Sequence, residues 1–169
     1  MSFDVFFEPC RYDGTTDRRV NPFTKQVQDV PRNTPLSEVE VAAVSSVLDR
    51  AGAQPPDEHG CRVVRFPDGG SAEIFTNELS RGCMFSIRGV GVTPALAQLL
   101  FDVMVAGGWV LMPAGGGDDV VIAPNAQCTT SAPSFYGRVV VAESAREVAA
   151  LLEGGFDAWK RYRDSVIRS

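Results

Sequence analysis

The chain has 169 residues, of which 44% are hydrophobic and 22% charged, and its formal net charge is −5. That length and apolar content suffice for one domain with its own core, and they exclude a globally disordered chain. The acidic balance disfavours binding to a phosphate backbone, which calls for a basic face.

The first element is "SFDVFFEP". Phe3, Val5 and Phe7 alternate with Asp4, Phe6 and Glu8, which predicts a strand ended by Pro9. Residues 10–33 hold two prolines, few apolar residues and many turn formers, so they predict a long connection with a short extended piece at "KQVQDV". "NTPLSEVEVAAVSSVLDRAGA" predicts a helix capped by Thr34, with Pro35 in its first turn, Glu38 near the capping-box position and Gly52 as its stop. Its expected buried stripe is Leu36, Val39, Ala43, Val47 and Leu48.

The loop "QPPDEHG" then leads to a hairpin, "CRVVRF", "PDGG", "SAEIFTN", and "CMFSIRGV" predicts a further strand. "TPALAQLLFDVMVAGG" predicts a second helix with a Thr93 cap, Pro94 and a stop at Gly107; being apolar almost all round, it should be the more buried one. "WVLMP" and "VVIAP" flank the turn "AGGGDD" as a second hairpin, and "RVVVA" follows as a strand. At the end, Ser144 can cap a helix stopping at Gly154 and Gly155, with another helix starting near Phe156.

The order strand, Thr-Pro-capped helix, Ala-Gly stop, strand, x-P-x-G-G turn, strand occurs twice. Thr34-Pro35 matches Thr93-Pro94, and "FPDGG" matches "MPAGG". This predicts two βαββ pseudo-repeats, about 2–77 and 83–124, followed by a strand-helix tail at 138–168, within a single domain spanning 1–169. The expected fold class is α+β, a mostly antiparallel sheet with helices packed on one face.

No run is apolar for long enough to span a bilayer, because "PALAQLLFDVMVAGGWVLMPAGG" is broken by Asp102 and two glycine clusters. The N-terminus lacks a basic segment followed by a cleavable apolar core, so no secretory signal is expected. The four cysteines, Cys10, Cys61, Cys83 and Cys128, show no C-x-x-C spacing and are expected as reduced thiols in a cytoplasm.

Few residues offer chemistry. His59, the only histidine, stands in "PDEHG" beside Glu58. The pair could supply an acid-base centre or two metal ligands, with a third from Asp13, Asp17 or Glu8, although adjacent residues in a loop do not converge on one point. "GGGDDVV" leads into a strand rather than a helix, so it reads as a turn and not as a phosphate cradle. The cysteines have no evident base beside them. No catalytic set emerges beyond His59 and Glu58, and neither a cofactor nor a metal is implied.

Charged residues inside strands point elsewhere. Glu73, Arg88, Arg62 and Arg65 mark the sheet face that helices leave open, with Glu73 opposite an arginine. Glu8, Arg65, Glu73 and Arg88 around Phe6 and Phe75 form the candidate binding surface. In the tail "FDAWKRYRDSVIR", Phe156 and Trp159 should anchor a helix whose Lys160, Arg161, Arg163 and Arg168 face water.

"SFDVFF", "NPFT", "PDEHG" and "GGFDAWKRYRD" together resemble small single-domain bacterial proteins, some of them similar to immunity proteins of toxin systems. The resemblance implies binding to and blocking of a protein partner rather than catalysis, a bacterial origin and a cytoplasmic location. The expected partner is a protein, without nucleic acid or membrane. The alternatives are a small enzyme centred on Glu58 and His59, and a small-ligand binder using a cleft between the pseudo-repeats.

Overall fold

The computed structural model describes residues 2–20, 25–114, 120–124 and 138–167. The chain runs β1 (Phe3–Pro9), β2 (Tyr12–Val20), β3 (Val27–Asn33), α1 (Glu38–Arg50), β4 (Cys61–Arg65), β5 (Gly70–Phe75) and β6 (Cys83–Gly89). It continues through α2 (Pro94–Gly107), β7 (Trp109–Pro113), β8 (Val120–Ala123), β9 (Arg138–Val141) and α3 (Ala145–Ile167). Seven strands form one sheet in the order β4-β5-β6-β1-β7-β8-β9, and β2 and β3 form a separate two-stranded ribbon. Every pair in the main sheet is antiparallel except β8 with β9, so the protein is α+β with a mostly antiparallel sheet.

Alternation along each strand sorts the side chains. Phe3, Val5 and Phe7 of β1 join Val64, Ile74, Phe85, Ile87, Trp109 and Leu111 in the core beneath the helices. The apolar helix α2 lies centrally and contacts both α1 and α3. It buries Leu96, Leu99, Leu100, Val103 and Met104, as its all-round apolar sequence requires. The two segments share the order strand, helix, strand, strand only when the β2–β3 ribbon, which the described residues of the second segment lack, is set aside. Strand directions differ: β6 and β7 both run antiparallel to β1 and so parallel to each other, whereas β4, three antiparallel steps from β1, opposes it.

Several local expectations are corrected. Residues 10–33 are not one long connection, because β2 and β3 pair antiparallel from Tyr12↔Asn33 to Val20↔Val27. The ribbon is largely exposed and polar, so no buried apolar alternation announced it. Helix α1 starts at Glu38, with Ser37 rather than Thr34 as its cap. Ser37 Oγ accepts from Glu40 N while Glu40 Oε2 accepts from Ser37 N at 2.8 Å, a complete capping box. The buried stripe is accordingly Val44, Val47 and Leu48, and Val39 is 80% exposed.

The two predicted C-terminal helices are one, and α3 continues through Gly154 and Gly155. Val148, Leu152 and Phe156 form an i, i+4, i+8 stripe across the glycines, and Phe156 meets Phe3 edge-on at 5.6 Å. This anchoring outweighs the helix cost of two glycines, about 1 kcal/mol each. A Cβ on Gly154 would meet nothing within 4 Å, so Gly154→Ala is expected to raise stability by about 0.5–1 kcal/mol, read as a higher urea midpoint.

The four-thiol expectation is also corrected: Cys10 is disulfide-bonded, while Cys61 and Cys83 are free. The absence of C-x-x-C spacing therefore did not establish that every cysteine is reduced. Cys128, most of the "AGGGDD" turn and Arg168 lie outside the described residues, and within α3 the side chains of Trp159, Lys160 and Arg163 are not described. No helix among the described residues is long and apolar enough to cross a membrane.

The turn "PDGG" does more than reverse the chain. Asp68 Oδ2 accepts from Ala95 N at 3.0 Å, and its Oδ1 accepts from Thr93 Oγ1 at 2.9 Å and Gly70 N at 3.0 Å. A hairpin tip thus caps the start of α2 from a distance, and these bonds, the one from Ala95 foremost, hold the Asp68 carboxyl below the usual range.

Glu40 is held lower still, at about 2, by the Arg11 guanidinium and the Ser37 backbone and hydroxyl. Its folded-state value lies below its unfolded one, so its contribution is full above about pH 4.5 and is lost as pH falls toward 2. With a third of the side chain in water, that contribution is about 1 kcal/mol. The Glu40→Gln variant should therefore lose less stability than the parent between pH 5 and pH 2, measured by urea titration at each pH.

Candidate functional site

The sheet face away from the helices carries a layered pattern set by strand register. One row holds Arg65, Ser71 and Arg88; the next Val63, Glu73, Ser86 and Asp4. The third holds Cys61, Phe75, Met84, Phe6 and Met112, and Glu8 with Val110 follow. An apolar row thus crosses five strands, with the Glu73 and Asp4 row on one side and Glu8 on the other, and Phe6 within it is 41% exposed. Large apolar side chains left in water at the centre of a sheet face mark a contact surface more readily than single exposed residues elsewhere.

A cleft of about 370 Å³ opens on this row, lined by Phe6, Phe75, Met84 and Met112 with Glu8 and Arg81 at its rim. Two methionines give it an adaptable, polarisable wall. Farther along β7, Val110 and Cys10 are buried together beneath Tyr12, Met112 and Val139, which closes that end of the face.

The four predicted surface residues all belong to this face, but not to one point. Glu73 Oε2 accepts from Arg88 at 2.8 Å, a diagonal cross-strand pair, and Arg65 lies in the same row as Arg88. Glu8 lies three two-residue steps away, roughly 20 Å at about 3.4 Å per residue. Arg62 was expected here and is not. Alternation turns it to the helix side, where it is 7% exposed and donates to Asp49 Oδ1 and to the carbonyls of Ala53 and Gln54.

Asp4, Met84 and Met112 were missed in the sequence, although the alternation of "SFDVFFEP" and "CMFSIRG" places Asp4 and Met84 beside Phe6. Asp4 stands between Phe6 and the polar row, and its Oδ1 is buried without a hydrogen-bond partner. Ser86 opposite it is itself buried.

The loop bearing Glu58 and His59 is built differently. Asp57 Oδ1 accepts from His59 N and Cys61 N, so the turn is organised by Asp57, whose carboxyl is held below its ordinary range by those two bonds. His59 Nε2 lies 3.5 Å from Glu58 Oε1 with both side chains in water, His59 79% exposed. Asp13 is engaged by Thr15 and Asp17 by Arg32, and among the described residues no three potential ligands converge. The Cys83 thiol is pushed far up by burial, and burial together with Asp57 and Glu73 raises that of Cys61; neither favours a thiolate. A second groove of about 290 Å³ runs between α1 and α2, floored by Val47, Phe66, Ala95 and Leu99 and edged by Arg50 and Asp102.

No protein-family model, no curated protein and no solved structure matches the chain.

Proposed function

We propose that this chain is a non-enzymatic protein-binding module, of the immunity or inhibitor kind, which engages its partner through the open sheet face. One observation carries the reading: an apolar row centred on exposed Phe6 crosses the sheet, with Glu73 and Asp4 on one side and Glu8 on the other, and opens into a cleft. Contact surfaces are built in this way, with an apolar centre, a polar rim and aromatic anchors. Net charge of −5 favours a basic partner and speeds its encounter. The expected cytoplasmic location has the free thiols of Cys61 and Cys83 on its side and the disulfide at Cys10 against it, since persistent disulfides belong to oxidising compartments.

The test is affinity capture from the source cells with tagged protein, comparing the parent with Glu8→Lys and Glu73→Lys. The expected result is one stoichiometric protein retained by the parent, reduced at high salt and weakened by either reversal. Equal retention by both reversals would remove the charged rim from the interface. The groove between α1 and α2 supports a second reading, as a small-ligand site between the two βαββ segments.

A further inference from the structure

The open face also specifies the chemistry of what it binds. Asp4, Phe6 and Glu8 alternate along β1 and point to the same side, so the aromatic ring at the mouth of the cleft is flanked by two carboxylates. Two charge pairs nearby are closed within the chain, Glu73 with Arg88 and Arg81 with Glu78 at 3.7 Å. Among the described residues Asp4 has no ion pair, and one of its oxygens is buried without a donor. Its charge is left uncompensated, and an uncompensated carboxylate beside an apolar surface gains most from a cation that arrives together with an apolar group.

We infer that the cleft takes one large apolar or aromatic side chain of the partner, and that a lysine or arginine next to that anchor lies over Asp4. The inference rests on the protein-binding reading and adds the partner's local chemistry to it. A volume of about 370 Å³ accommodates a single aromatic anchor, and the Met84 and Met112 side chains can adjust around it.

The experiment uses the full chain with ¹³C-methyl methionine. Met84 and Met112 line the cleft, and Met104, fully buried under the sheet, serves as the internal control. The probes are three blocked tripeptides: Lys-Trp-Lys, Glu-Trp-Glu and Lys-Ala-Lys. Lys-Trp-Lys is expected to shift the Met84 and Met112 methyls and leave Met104 in place. Glu-Trp-Glu and Lys-Ala-Lys should each bind at least about tenfold more weakly. Asp4→Asn should weaken Lys-Trp-Lys about threefold or more, with an unmoved Met104 resonance showing that the core is intact.

Equal binding of Lys-Trp-Lys and Glu-Trp-Glu, or no effect of Asp4→Asn, overturns the cationic requirement. Absence of any Met84 or Met112 shift with Lys-Trp-Lys overturns the anchor. Neither result touches the protein-binding reading, which falls only if a captured partner is indifferent to changes on this face.

Discussion

Replacing Arg62 with alanine is expected to destabilise the protein by about 2–4 kcal/mol, seen as a lower urea midpoint with an unchanged slope. Arg62 sits on the helix side of β4 with 7% of its surface exposed. Its Nε donates to the Gln54 carbonyl at 2.8 Å, and one terminal nitrogen reaches both the Ala53 carbonyl at 3.1 Å and Asp49 Oδ1. The guanidinium therefore ties the end of α1 and the chain after it to the sheet. Truncation leaves two carbonyls without their donor and a void where the buried stem lay.

The contribution of the ion pair itself is small, because the Asp49 side chain is 66% exposed and remains hydrated without its partner. Asp49→Ala should accordingly cost no more than about 1 kcal/mol. Arg62→Met keeps the stem and should fall between the two. Equal losses in Asp49→Ala and Arg62→Ala would mean that the ion pair, rather than the carbonyl clamp, is what matters.

The second large effect is expected at Gly82, just before β6. Its φ is +144°, and a Cβ built there would stand 2.1 Å from the Phe7 carbonyl oxygen and 3.4 Å from Glu8 Cα. The obstacle is the backbone of the central strand β1, not the end of a side chain that can swing away. Gly82→Ala must either shift β1 against β6 or change the entry to β6, at a cost of about 3 kcal/mol or more. Thermal unfolding followed by circular dichroism measures it. Gly82 also borders the Phe6 cleft, so this variant should lose partner binding together with stability.

The parts of the fold legible in the sequence are those where burial imposes a period. The alternation of "SFDVFFEP" placed Phe3, Val5 and Phe7 in the core and left Phe6 outside, and the largely apolar α2 lies centrally, as its composition required. Where burial does not decide, the sequence was less informative. The β2–β3 ribbon is held by cross-strand pairing and by polar contacts such as Arg32 with Asp17, which turn-forming residues conceal. Glycines 154 and 155 suggested a break, but the anchoring of Phe156 on Phe3 lies far outside any local window.

The site shows the same division. That Glu8, Arg65, Glu73 and Arg88 share a face follows from alternation alone. That Arg62 does not, although it too is a strand arginine near Arg65, is a matter of parity within β4. The cleft itself arises from register, which sets Phe75, Met84, Phe6 and Met112 in one row across four strands. Register is a property of strand pairing, and no single segment encodes it.

If the open sheet face binds the partner, as proposed, capture depends on Phe6. The most direct measurement is affinity capture repeated with two surface substitutions of equal chemistry, Phe6→Asp on the sheet face and Val105→Asp on α2. Both side chains are large, apolar and substantially exposed, so both variants should fold. The captured protein is expected to be retained by Val105→Asp and lost from Phe6→Asp. Retention by Phe6→Asp and loss from Val105→Asp would contradict it and move the interface to the helical layer.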